Sequence, residues 1–342
     1  MKKILILVMV LSLIFGTTLM GCQQDAPEQG GGGELSFGFE FEPMTIRFFA
    51  GGEAGDAFAS IVYRGAMDAA EMLAPYGVTV EYVFSGWSTE QMVSQLREAI
   101  ASGVDAICMM GHPGDDAILP LALEAREAGI IMMYQNVNVP EVRAQLGGGY
   151  VGVVDLGDQG RALARAAINE FTIQPGDRVL VFGGWGQPGR YLREEGSALE
   201  FEEAGFIVDR LEAPPEAAAD PQLMLPVLSA QIASHPETVL VLFPGGQQLS
   251  VAGMYMDALG KAPGEIYMIG FDLNEGVLEA FENGYVQLTA DQQPYLQGFL
   301  PILNAFLTFH FELGYLEIET GAGLVDVTNF GDVRELVEEG IR

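Results

Sequence analysis

Short unbroken apolar runs alternate along this chain with longer stretches that carry an apolar residue every third or fourth position. TIRFFA, from Thr45, predicts a strand. From Asp56 to Leu73 the apolar residues Phe58, Ile61, Val62, Ala66, Ala69 and Leu73 share one helical face. VTVEYVF predicts a second strand, and Ser88-Thr89-Glu90-Gln91 has the spacing of a capping box that opens a helix to about Ala101. VDAICMM, a helix from Asp115 to Ala128, and GIIMMYQN continue the series. Strands separated by helix-length segments imply a parallel sheet, and runs this apolar suit strands covered on both faces.

The pattern restarts at YVGVV. A helix from about Leu156 to Phe171, DRVLVFGG, a helix to Glu203, GFIVDRL, a helix from about Pro221 to Ala233, TVLVLFP, a helix to Leu259 and EIYMIGF follow. What remains is YVQLTAD, a helix over Pro294 to Phe309, a strand near GLVDV and a helix near Val333 to Glu339. That is too little for a third unit and must join the other two. The expected fold class is therefore α/β, two-lobed, each lobe a doubly wound parallel sheet, with several strands of chain crossing between them.

Composition narrows the function. The 342 residues are 49% hydrophobic and 18% charged, as a folded globular chain requires. Against 16 Lys and Arg stand 47 Asp and Glu, for a net charge of −31. Such a field repels nucleic acid and anionic lipid. Beyond Lys3, lysine occurs only at Lys261. The three histidines, His112, His235 and His310, sit near turns or at a helix end. No G-x-S-x-G, H-E-x-x-H or Cys/His metal spacing occurs, so neither an enzyme nor a metal or cofactor protein is expected.

Residues 1–21 read as an export signal: Lys2 and Lys3, an apolar run from Ile4 to Phe15, then Leu19-Met20-Gly21-Cys22. The run is shorter than the roughly 20 residues of a spanning helix. The stretch resembles the bacterial lipoprotein signal, which implies that Cys22 carries lipid and residues 22–43, with Gly30 to Gly33, form a flexible tether to the membrane. Cys108, the other cysteine, lies in VDAICMM and reads as a small core residue.

In open parallel sheets ligands sit beyond the carboxyl ends of the strands. Asp56, Asn136, the GGWG loop with Trp185, Gly245-Gly246-Gln247 and Asp272 all fall there. Gly184 to Gly189 also spells G-x-G-x-x-G, with Asp209 about 20 residues on as the dinucleotide fingerprint requires. Trp185 and Pro188 would crowd that loop, which reads instead as a turn presenting ligand contacts; an NAD-dependent oxidoreductase is the remote alternative.

DAFASIVYRGAMDAA, ASGVDAICMMGHPGDDA, REAGIIMMYQN, REEGSALEF, SHPETVLVLFPGGQ, IGFD and TADQQP, in this order and spacing, resemble the ribose and galactose class of exported sugar-binding proteins that feed ATP-driven importers. The likeness runs from about Met44 to the end. It implies a type I periplasmic-binding fold, with lobes over 44–152 plus 293–322 and 153–292 plus 323–342. It also implies a monomer that captures a small neutral sugar or polyol by closing its lobes and delivers it to the permease of an ABC importer. A nucleoside, a furanosyl autoinducer, a cyclitol or service to a sensory receptor is the alternative on the same scaffold.

By that resemblance Asp56 bonds sugar hydroxyls and Phe58 stacks on the sugar face. Asn136 stands where relatives carry an aspartate followed by an arginine, but Val137 follows here, so one charged donor is missing. Arg193, Gln247, Asp272 and Gln292 complete the implied ligand contacts. Hydroxyls both donate and accept, so carboxylates, amides and a guanidinium suit them, while C–H faces pack on rings. Ala59 stands where relatives have a second ring, and EAAADP, 216–221, replaces a segment that supplies another. Trp185 is the candidate to make up the loss, with a place in the lobe wall as the alternative; Trp87 is the weaker candidate.

Overall fold

The computed structural model describes residues 40–185, 191–218, 220–321 and 323–342. The expected signal, Cys22 and most of the tether lie outside them. Phe41 to Arg342 form one compact unit.

The first sheet contains β1 (Met44–Gly51), β2 (Val78–Phe84), β3 (Ala106–Met110), β4 (Ile131–Asn136), β5 (Gly149–Gly152) and β11 (Glu317–Glu319). Their order is β11-β5-β4-β3-β1-β2, parallel throughout. The second contains β6 (Arg178–Gly183), β7 (Ile207–Glu212), β8 (Thr238–Phe243), β9 (Tyr267–Phe271), β10 (Leu288–Asp291) and β12 (Gly323–Asp326). Its order, β12-β10-β9-β8-β6-β7, repeats the first position for position. The one difference is that β12 runs antiparallel to β10. YVGVV, with which the second sequence run opens, therefore supplies the last core strand of the first sheet, and the chain crosses only after it.

Period-two alternation explains the double burial. On β3, Ala106, Cys108 and Met110 enter one core, while Ile107 and Met109 enter the core on the opposite face. Cys108 is free, buried, and its thiol pKa is pushed up by that burial. It is a packing residue.

Of the twelve helices among the described residues, four start at a side chain that caps them. The twelve are α1 (Ala57–Leu73), α2 (Thr89–Ser102), α3 (Asp115–Glu127), α4 (Pro140–Leu146), α5 (Leu156–Glu170), α6 (Leu192–Glu203), α7 (Met224–Ser234), α8 (Gly246–Leu249), α9 (Ala252–Leu259), α10 (Glu275–Glu282), α11 (Pro294–Phe311) and α12 (Phe330–Glu338). Asp56, Ser88, Asp155 and Asn274 each accept a backbone N–H of the first turn. The helix expected from Pro221 begins as a 3-10 turn and becomes α-helical at Met224. α4 is an addition to the sequence reading.

Two helix crossings bring backbones into contact. A Cβ at Gly298 of α11 would lie 1.9 Å from Val62 O on α1, and one at Gly160 of α5 would lie 1.7 Å from Arg193 O on α6. Glycine is required at both. The second crossing also seats Arg193, because Ser197 Oγ donates to Gly160 O at 2.9 Å and to Arg193 O at 3.0 Å.

Candidate functional site

The carboxyl ends of β4 and β9 occupy equivalent places in the two sheets, and each carries a polar residue in the left-handed region, the last of β4 and the first after β9. Asn136 has φ 65° and Asp272 φ 72°. Glycine enters that region readily because it has no Cβ, and asparagine and aspartate because their short polar side chains hydrogen-bond locally. The turn at Asp272 is fixed by its own N–H donating to Ala290 O at 2.8 Å.

Gln292, just past β10 where the chain crosses back to the first sheet, joins the two. Its Oε1 accepts from Asn136 Nδ2 at 3.1 Å, and its Nε2 donates to Asp272 Oδ1 at 2.6 Å. Gln297, on α11 and fully buried, accepts from Asn136 Nδ2 at 3.0 Å and donates to Gln292 O at 2.9 Å and Thr320 Oγ1 at 3.2 Å. An amide network thus runs from one sheet to the other through the crossing.

Arg193 extends it. This guanidinium, 4% exposed, lies over the Phe271 ring at 4.3 Å. Its Nη2 donates to Pro244 O at 2.6 Å, and Nη1 stands 3.7 Å from Asp272 Oδ1. Planar stacking with directed donors is the use for which arginine rather than lysine is suited.

The crossing itself is pinned by Asp291, 1% exposed, which accepts from Gln293 N at 2.9 Å and from Arg342 Nε at 2.7 Å. Burial pushes the Asp291 carboxyl above the usual carboxylate range, and Arg342 opposes that rise.

A second group gathers at the ends of β1, β2 and β3. Asp56 Oδ1 accepts from Ala59 N at 2.8 Å and Oδ2 from Trp87 Nε1 at 3.0 Å. The Trp87 ring centroid is 6.0 Å from that of half-buried Phe58 and 5.3 Å from that of His112. Each carboxylate oxygen keeps a second acceptor direction.

The remaining candidates lie apart from these. Gln247 is exposed on α8, at the rim of a cavity of about 390 Å³ lined also by Ile61, Ser250, Asn274 and Arg342. Ile61 belongs to α1 and Gln247 to the second lobe, so the cavity opens between them. Trp185 is half-buried against the second core, and its Nε1 donates to Leu211 O at 2.8 Å. Asp209, the acid of the dinucleotide fingerprint, accepts from Arg178 Nη1 at 2.7 Å and from Gln231 Nε2 at 2.6 Å. No group of three or more His, Cys, Asp and Glu placed to hold a metal occurs among the described residues.

Gln297 and Thr320 were not singled out from sequence. The signal for the first was present: Gln297, with Asn304, is a polar residue in the mostly apolar helix PYLQGFLPILNAF. Thr320 carries no comparable mark.

Two facing doubly wound lobes, with polar side chains at their strand ends and chain crossing repeatedly between them, define a ligand-binding class of two-lobed proteins. The sequence model of the periplasmic binding protein domain matches residues 48–307, and the chain belongs to that family. Over 68 residues it is 41% identical to a xylose/arabinose-binding protein of Sulfolobus acidocaldarius, an alignment that takes in 19% of this chain and 17% of that relative. A carbohydrate transporter from Acidothermus cellulolyticus 11B, in complex with myo-inositol, superposes with a TM-score of 0.71 at 24% identity, covering 88% of this chain and 100% of that one. A solute-binding protein of a carbohydrate transporter from Agrobacterium radiobacter, in complex with D-arabinose, gives 0.70 at 21% identity over 88% and 99%. At these identities the likeness is one of fold.

Proposed function

We propose that this chain is an extracytoplasmic solute-binding lipoprotein that captures a neutral monosaccharide or cyclitol between its lobes and delivers it to an ABC importer. The observation that carries this reading is the Asn136–Gln292–Asp272 link, with Arg193 beside it. These groups offer closely spaced donors and acceptors with a single cation already balanced by a carboxylate, which matches hydroxyls better than a charged ligand.

In this reading the lobes span 44–152 with 293–322 and 153–292 with 323–342, and Asp56, Phe58, Asn136, Arg193, Gln247, Asp272 and Gln292 contact the ligand. Trp185, whose indole N–H is committed to Leu211 O, serves as a wall of the second lobe. The ligands held by the two structural relatives, myo-inositol and D-arabinose, support the ligand class. Cys22 would carry the lipid anchor, and the protein would act as a monomer without cofactor or catalysis.

Sugar would meet one lobe first. Closure would then bring the groups of the other lobe onto its remaining hydroxyls, and the closed form gains only as much as the sugar prefers it. Periplasmic binding proteins are a standard example of such closure.

A thermal-shift panel of pentoses, hexoses, cyclitols, nucleosides and NAD tests this. A neutral sugar present at about 100 times its dissociation constant stabilises by about 2.7 kcal/mol. A shift with NAD alone, and with no sugar or cyclitol, overturns it.

A further inference from the structure

We infer that Trp87 is a specificity-determining residue of the proposed sugar site: from the end of β2 it sets a second aromatic ring beside Phe58. This rests on the reading of the cleft as a sugar site and names the residue that selects the ligand's apolar face.

Three observations place it there. Trp87 has φ 61°, a conformation that a bulky side chain adopts only when its surroundings impose it, and such outliers gather at functional sites. Its backbone is held by donation from Trp87 N to Gly51 O at 3.2 Å. The indole then lies across the Gly51-Gly52 turn: a Cβ at Gly51 would stand 2.6 Å from Trp87 Cζ3, and one at Gly52 2.8 Å from Nε1. Side chains at either position would expel the ring.

The same point at Gly52 is 3.0 Å from Ala59 Cβ. The indole thus stands beside fully buried Ala59, whose single methyl leaves it room. It is angled at 51° to the Phe58 ring. Two rings set at such an angle form a corner that packs one C–H face of a sugar ring and the C–H edge beside it.

Asp56 is the positioning residue of this corner. Its Oδ2 fixes the indole N–H, while Oδ1 caps α1. A hydroxyl on the sugar edge that lies in the corner meets a carboxylate already oriented by two donors. Rings with a continuous C–H face, pyranoses and cyclitols, are therefore selected over open-chain polyols.

The test uses the full chain labelled with fluorotryptophan, which gives two fluorine NMR lines because the chain holds two tryptophans. The line absent from Trp87→Phe is that of Trp87. Addition of the sugar that stabilises the wild-type protein is expected to shift the Trp87 line. Trp87→Leu is expected to weaken binding about tenfold or more, while Trp87→Phe, which keeps a ring, stays within about threefold. A wild-type protein that binds a sugar with the Trp87 line unmoved, and a Trp87→Leu protein that binds it within about twofold, overturn the inference alone. If Trp87→Leu does not fold, the Trp87 line and the Phe variant decide. If no neutral sugar moves the melt or either line, the sugar reading and this inference fall together.

Discussion

Asn136 and Asp272 stand at equivalent strand ends of two separate sheets, both left-handed, and the side chain of Gln292 hydrogen-bonds to each. The residue that marks the crossing between the lobes is therefore also the one that couples their polar ends. Replacing it tests both roles at once.

Gln292→Ala leaves the Asn136 amide and the Asp272 carboxylate each short of a partner. The expected cost is about 1–3 kcal/mol in the absence of ligand. At about 2–4 °C per kcal/mol that is several degrees in a calorimetric melt. The sugar-induced shift should shrink as well, since a ligand group must now meet a network that no longer spans the crossing.

The left-handed turn at Asp272 separates shape from charge. Asp272→Asn keeps a side chain that tolerates φ 72° but removes the negative charge 3.7 Å from buried Arg193, so it costs about 1–3 kcal/mol of stability and sugar affinity falls. Asp272→Val is expected to lose a further ~1–2 kcal/mol, because a β-branched residue clashes in this conformation. Denaturant melts of the two variants, side by side, check the difference.

His310 sits among Phe41, Phe306 and Phe309, with ring centroids 4.9, 4.6 and 4.8 Å away. Burial holds its pKa below the ordinary 6.5. The unfolded chain therefore binds a proton near 6.5 that the folded chain refuses, so this contribution is complete above that pH and lost as pH falls from there through the lower folded value. His310→Phe should flatten the fall in stability that sets in as pH drops below 6.5. An unchanged slope would contradict the assignment.

Asp291 behaves with the opposite sign. Its folded pKa is raised above 3.8 by burial, so stability from this group is complete below 3.8 and lost as pH rises through the folded value. Arg342 limits that loss. Arg342→Ala should thus cost little near pH 3 and about 3 kcal/mol at neutral pH, the lower end for a broken buried pair because the Arg342 side chain keeps 24% exposure. Melts of wild type and variant across pH read it directly.

The sheets were legible because their strands are continuous apolar runs and their helices open on capping residues such as Asp56 and Ser88. β11, EIE, was not: three residues, two of them exposed glutamates, carry no strand signal. α4 has seven residues and one buried position, too short to show a period. In the sequence pattern the second run of elements opens at YVGVV, because the crossing leaves no mark between β5 and α5, although the lobe bounds keep 150–152 in the first lobe.

Strand-end positions followed from topology, so Asp56, Asn136, Gln247 and Asp272 could be named in advance. Their partners could not. The bonds from Asn136 reach Gln292 and Gln297, separated from it by 156 and 161 residues, and no local pattern encodes such a pairing. The Trp87–Asp56 bond depends on a backbone turn at Trp87 that a tryptophan rarely makes.

A crystal structure of the full chain grown with the sugar that most raises its melting temperature is the direct test of the cleft assignment. The account predicts density for one sugar ring within hydrogen-bonding distance of Asn136, Arg193 and Asp272, with its apolar face toward Phe58. Density for that sugar on any other surface, with the Asn136–Gln292–Asp272 network undisturbed and no ligand beside it, would contradict it.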